Sequence, residues 1–203
     1  REIFLECYFA VFGKEGIEID IEQVLDLVGM GIKLKSVIEG LVPKDLQEAD
    51  PCIVDRLEKE YRDFFGQRCV EETVPFPCAI ETLQGLRDMG KRTALATSKL
   101  RVFTLRILEG KGMTGLFDVI VAGDDVLHEK PHPEPILKIL DGCKWERHRT
   151  IFTGDTVSDV IAGRAAEVCT CAVLCGFGKR SDLMAAGPDF LATDVSDLLY
   201  IVK

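Results

Sequence analysis

The chain has 203 residues, 47% of them apolar and 29% charged, the profile of a globular protein with one sizeable core or a core plus a small second domain. Its net charge of −9 argues against the basic surface that non-specific nucleic-acid binding needs. No run of eighteen apolar residues and no secretory leader pattern is present, so the expectation is a cytoplasmic protein with neither nucleic acid nor membrane as partner.

The first 73 residues read as helices. Ile3, Phe4, Cys7, Tyr8, Val11 and Phe12 recur at i, i+3, i+4, i+7 spacing. Because this pattern opens at Arg1, the chain reads as trimmed within a helix. Further helices are predicted over Ile21 to Val28, closed by Gly29-Met-Gly31, and over Leu34 to Leu41, stopped before Pro43. Asp50-Pro51 has the form of a helix start, with Asp50 as cap, and the helix runs from Cys52 to about Phe65.

The texture changes at Val74-Pro-Phe-Pro77, an extended linker. A helix over Ala79 to Met89 ends at Gly90. Short apolar strands then alternate with helices. Strands are expected at Thr93 to Ala96, Val119 to Ala122, Thr150 to Phe152, Thr170 to Leu174 and Phe190 to Ala192. Their helices fall near Val102 to Glu109, Glu134 to Leu140, Asp159 to Ala166, Ser181 to Ala186 and Val195 to Val202. Strict βα alternation indicates a parallel sheet with helices on both faces. The domain division is therefore a helical unit over 1–73 and an α/β unit over 74–203.

Eight cysteines are scattered singly or as C-x-C-x3-C at Cys169, Cys171 and Cys175, without paired CxxC spacing. They read as buried free thiols rather than disulfides or a metal cluster.

Ligands of open α/β sheets bind beyond the carboxyl ends of the strands. Thr97, Ser98 and Lys99 follow the first of the strands, Lys130 lies in the loop after the second, and Asp155 and Asp159 follow the third. Taken singly, Thr97, Ser98 and Asp159 read equally as helix caps, and Lys130 as an exposed loop residue. Asp124 and Asp125 read as a solvated pair. Taken together, hydroxyls, an ammonium and two carboxylates are what phosphoryl transfer asks for: donors for phosphate oxygens, a charge-balancing cation and metal-holding acids. Gly154 suits a turn pressed against a ligand.

Three of these segments resemble motifs of the haloacid dehalogenase-like hydrolase superfamily, nearest to its phosphoglycolate phosphatase-like branch. Leu95-Ala-Thr-Ser-Lys99 is similar to the second motif, Glu129-Lys-Pro-His-Pro133 to the third, and Thr153-Gly-Asp-Thr-Val-Ser-Asp159 to the fourth. Pro75 to Leu83 resembles the return from cap to core, and Gly176-Phe-Gly178 through Pro188-Asp-Phe190 also fits. The resemblance implies a Rossmann-like core with a helical cap and Mg²⁺-dependent hydrolysis of a small phosphorylated metabolite through an aspartyl-phosphate, by a monomer or homodimer. It implies that Thr97 and Lys130 are catalytic, that Ser98 and Lys99 contact substrate, and that Asp155 and Asp159 hold the metal.

The family's first motif, Asp-x-Asp-Gly-Thr after an apolar strand, has no match in the 203 residues. Its nucleophile is expected on a strand upstream of Arg1, and a sheet without that strand would expose unpaired edges. Cys78 and Glu167 stand where the family often has Gly. A phosphosugar mutase, a phosphonate hydrolase or an inactive binding protein of the same fold are the alternatives. Lys33 or Lys35 is the candidate partner for a second anionic group of the substrate, a solvated helix start being the other reading of both.

Overall fold

In the computed structural model, residues 2–203 are described. The chain forms α1 (Glu2–Lys14), α2 (Ile21–Gly29), α3 (Leu34–Leu41), α4 (Lys44–Ala49) and α5 (Ile53–Glu72) before any strand. Then follow α6 (Ala79–Asp88), β1 (Ala94–Ala96), α7 (Arg101–Gly110), β2 (Val119–Val121), α8 (Glu134–Cys143), β3 (Ile151–Gly154), α9 (Val157–Ala165), β4 (Cys169–Val173), α10 (Arg180–Ala185), β5 (Phe190–Ala192) and α11 (Leu198–Ile201).

Helices α1, α2, α3 and α5 share one core. Cys7 and Val11 of α1, Val24 of α2, Ile38 of α3 and Leu57 and Cys69 of α5 are completely buried in it. The apolar stripe of α1 lies along α5, where Tyr8 meets Tyr61 at 4.8 Å between ring centroids. α4 is unanticipated in the sequence. Six residues are too few for a helical period to show, and the helix is held by Gln47, whose amide donates to the carbonyls of Glu39 and Val42, both at 2.9 Å. The start of α5 also differs from the sequence expectation. Cys52, not Asp50, occupies the cap, and the Asp50 carboxylate, two residues earlier, accepts from the Cys52 N–H.

All five strands pair in parallel, as the βα alternation predicts. They do not form one continuous sheet. β1 pairs with β2, and β3, β4 and β5 pair in that order. Among the described residues neither β1 nor β3 has a second strand neighbour, and a cavity of about 690 Å³ lies between them. Its walls are largely apolar, with Ala94 and Leu95 on one side, Ile151 and Phe152 on the other, and Ile136 and Ile139 of α8 among the covering side chains.

The amino end of each part is tied by an aspartate. Asp118 accepts from the Thr93 N–H at 2.9 Å, and Asp189 accepts from the Thr170 N–H and hydroxyl, both at 2.8 Å. All eight cysteines are free. Burial pushes the Cys7 thiol up to about 12 and the Cys171 thiol up to about 11. Cys52 and Cys78 are exposed, contrary to the reading of the cysteines as buried. Cys52 borders a helix start on the surface. Cys78 precedes α6 at a φ of 60°, and Glu167 follows α9 at a φ of 60°, so both residues that replace the family's glycine adopt the left-handed conformation.

Candidate active site

β1 delivers Thr97 at its carboxyl end. The Thr97 N–H continues the ladder to the Val121 carbonyl at 3.0 Å, while its hydroxyl oxygen accepts from the Lys99 N–H at 3.2 Å. That bond turns the chain sharply before α7. Neither Thr97 nor Ser98 caps α7. The N–H of Arg101 instead finds Asp124, at 2.7 Å. Asp125 pairs with the Arg101 guanidinium and accepts from the Ala122 N–H, so both acids fasten the loop after β2 to α7, Asp124 while exposed, as expected, and Asp125 half-buried. Ser98 is exposed, and its carbonyl sits where a Cβ on Gly123 would come within 2.5 Å.

β3 ends at Gly154, and the turn into α9 is a capping box. Thr156 is the cap, its hydroxyl accepting from the Asp159 N–H at 3.3 Å, and Asp159 returns Oδ2 to the Thr156 N–H at 3.0 Å and hydroxyl at 2.7 Å. Asp159 is thus the third helical residue and not the cap. A Cβ on Gly154 would come within 2.2 Å of the Asp159 carboxylate carbon, so only glycine lets the carboxylate fold back there.

Lys130 joins the two parts of the sheet. Its ammonium donates to Asp159 Oδ1 at 2.6 Å and to the Ala96 carbonyl at the end of β1 at 3.4 Å. The pair is well shielded, with side-chain exposures of 13% for Lys130 and 6% for Asp159. Burial alone would raise the Asp159 carboxyl. The Lys130 ammonium and the Thr156 donors outweigh it and hold the carboxyl below its usual range.

Asp155 behaves oppositely. Burial pushes its carboxyl up, and the neighbouring Asp159 charge adds to this against the Phe177 N–H, Lys130 and Lys99. Its Oδ2 accepts from the Phe177 N–H at 2.8 Å. Among the described residues it has no ion-pair partner of its own. Gly176 shapes the space beside it, since a Cβ there would stand 1.9 Å from Asp155 Oδ2. A shielded carboxylate that no ammonium pairs directly suits a divalent cation with oxygen ligands and retained waters. Asp155 therefore fits Mg²⁺. Both Asp159 oxygens are already engaged by Lys130 and Thr156. Lys99 completes the charged group: it is partly buried, its ammonium lies 4.9 Å from the Phe4 ring centroid, and burial pushes it down while Asp155 draws it back up.

The helical part presses on these loops. Gly31, at a φ of 71°, lies so close to the α9 turn that a Cβ would meet the Thr156 hydroxyl at 2.4 Å. Phe4 packs edge-on against Phe177, with ring centroids 5.7 Å apart. Lys33 faces Glu129 at 3.8 Å, beside Lys130, whereas Lys35 is engaged with Asp55 at 2.5 Å on the exposed side of the helices. Sequence reasoning singled out the Gly29 to Lys35 loop, which carries Gly31, as facing the site, but missed the contributions of Phe177 and Gly176. The signal was the Gly-x-Gly pair Gly176-Phe-Gly178, which like Gly29-Met-Gly31 marks close backbone approach.

Residues 1–173 match the family described as haloacid dehalogenase-like hydrolase. The chain belongs to this family. It is 33% identical over 153 residues to the pyrophosphatase PpaX of Bacillus pumilus, covering 75% of this chain and 71% of that protein. It is 32% identical over 152 residues to a phosphoglycolate phosphatase of Aquifex aeolicus, covering 73% of this chain and 70% of the relative. These similarities place it in the family's phosphoglycolate phosphatase-like branch. A solved haloacid dehalogenase-like hydrolase of Streptococcus pneumoniae superposes with a TM-score of 0.85 at 21% identity, over 99% of this chain and 90% of that one, which shows a shared fold. The family's core is thus the frame in which Thr97, Lys99, Lys130, Asp155 and Asp159 stand.

Proposed function

We propose that the protein is a Mg²⁺-dependent phosphomonoester hydrolase acting on a small phosphorylated metabolite. The observation that carries this reading is the charged group at the carboxyl ends of β1 and β3: Lys130 bonded to both the Ala96 carbonyl and Asp159, with Asp155 beside them. In this reading residues 1–73 act as the cap and 74–203 as the core.

The nucleophile in this scheme is an aspartate at the end of a strand seated between β1 and β3, supplied from outside the 203 residues. A carboxylate oxygen of that aspartate bonds to phosphorus as the ester P–O bond breaks, and the leaving oxygen takes a proton from the second acid of the same motif. Water then attacks phosphorus, its proton passes to that second acid, and phosphate leaves. The Thr97 hydroxyl, with Ser98 beside it, donates to the phosphoryl oxygens. Lys130 balances the charge of aspartate and phosphate, and Lys99 adds a second ammonium on the side of Phe4. Asp155 would hold Mg²⁺, and Asp159 would act through Lys130 or through water. When bound, Mg²⁺ supplies positive charge to the phosphoryl oxygens. The Gly31 turn and Phe4 exclude water from above.

The relatives named for phosphoglycolate and pyrophosphate define the first substrates to test, and Lys33 is the cap residue placed to meet a second anionic group. The test uses the chain extended by an apolar strand ending in Asp-x-Asp. With Mg²⁺ it hydrolyses an aryl phosphate, 2-phosphoglycolate or pyrophosphate. Asp155→Ala and a chelator each abolish turnover, and the 203-residue chain alone is inactive. Turnover that survives Asp155→Ala would refute the scheme. Phosphate binding without turnover by the extended chain would identify a binding protein of the same fold.

A further inference from the structure

We infer that His128, His132 and Glu134 form a second metal site, one for a divalent transition ion such as Zn²⁺ and separate from the Asp155 site. The three residues lie in the loop after β2 and the first turn of α8. One candidate ligand atom from each lies within 4.8 Å of the others.

The local fold explains why they meet. The Glu134 carboxylate accepts from the Leu127 N–H at 2.8 Å and the His128 N–H at 2.9 Å, which folds the loop back over the start of α8. His128 then lies on His132, with ring centroids 4.6 Å apart, and the His132 Nδ1 accepts from the Glu134 N–H at 3.2 Å. The His128 Nδ1 stands 2.9 Å from Glu134 Oε2 and donates to it.

An ion fits in place of that shared proton. Two ligand atoms around a tetrahedral ion with bonds near 2.0–2.1 Å stay roughly 3.3 Å apart, close to the existing separation. The proton moves from Nδ1 to Nε2 of the same ring, so the imidazole remains neutral. His132 supplies the second nitrogen after a side-chain rotation, which its exposure permits, and water completes the shell. Two imidazoles and one carboxylate select Zn²⁺, Co²⁺, Ni²⁺ or Cu²⁺ over Mg²⁺, which prefers an all-oxygen shell. An ion there ties residue 128 to residue 134 across the segment carrying Lys130.

The chain has three histidines, and His148 lies outside the group, so it serves as an internal control. Co²⁺ is titrated at pH 7.5 into the Cys52→Ser/Cys78→Ser chain, which removes the exposed thiols. With excess Mg²⁺ present to occupy the Asp155 site, one equivalent should bind, with visible d–d bands and no sulfur charge-transfer band. His128→Ala and His132→Ala should each weaken binding by about tenfold or more, and Zn²⁺ should displace Co²⁺. His148→Ala should leave the affinity unchanged. A sulfur charge-transfer band, an affinity in either loop variant unchanged from the parent chain, loss in His148→Ala, or no saturable binding would each overturn the site. Circular dichroism of the exposed histidine variants verifies that they remain folded.

Discussion

Lys130 stands between two neighbours that need it differently. Asp159 is buried and charged because the ammonium pairs with it at 2.6 Å. Removing one partner of a shielded pair strands the other charge, so Lys130→Ala should lose about 3 kcal/mol in urea unfolding at pH 7. The double variant Lys130→Ala/Asp159→Asn should recover part of that loss, because the stranded charge is gone. Backbone strain gives a second residue-scale prediction. Glu167 and Cys78 hold a φ of 60°, and a left-handed non-glycine residue carries about 1–2 kcal/mol of steric cost. Glu167→Gly should therefore raise stability by about 0.5–1 kcal/mol after the entropy that glycine adds to the unfolded chain. A lowered Tm would show that the Glu167 ion pair with Arg147 outweighs the strain. The departure of both residues from the family pattern was visible in the sequence. The conformation that makes it costly is a property of the folded turn.

At the scale of elements, the loops are held by carboxylates that backbone N–H groups stabilise. The Thr93 N–H, helped by Arg87, holds the Asp118 carboxyl below the usual range, and the Thr170 N–H and hydroxyl do the same for Asp189. A folded-state value below the unfolded one means stabilisation that is present above the unfolded value, near pH 4, and lost as the pH falls through the folded value. Stability should therefore drop steeply below about pH 4, and Asp118→Asn and Asp189→Asn should each flatten that acid limb in unfolding curves taken from pH 6 to pH 2. The Gly31 turn gives a test of how the helices meet the sheet. Gly31→Ala places a Cβ 2.4 Å from the Thr156 hydroxyl at a φ that suits glycine. It should lower the Tm by roughly 3 °C or more and disturb the capping box of α9. The alternation of strands and helices was legible because each βα unit repeats a local apolar pattern. α4 was not, since its six residues contain too little of a period.

For the whole molecule, the decisive feature is the apolar cavity that separates β1 from β3. Unpaired strand edges beside apolar walls attract any segment that can extend the ladder. The 203-residue chain should bind a hydrophobic dye such as ANS, and the chain extended by an apolar strand ending in Asp-x-Asp should not. Each Val or Ile that such a strand buries should contribute about 1.5–3 kcal/mol, so the extension should also raise the Tm. Equal dye binding by both forms would show that the cavity does not take the strand.

The amino-acid sequence by itself determined the parallel βα order, the strand ends at which Thr97, Lys130 and Asp155 stand, and through those motifs the family. These are read from periods of two and 3.6 residues and from short spacings, which report local geometry and the buried face. Only the tertiary structure decided how the polar groups divide the work. Asp159 is committed to Lys130 and Thr156, whereas Asp155 is held by the N–H of Phe177, 22 residues further along. The packing also separated Lys33 from Lys35, one beside Glu129 and the other turned to Asp55. Such pairings depend on which distant elements pack together, and no local period encodes that.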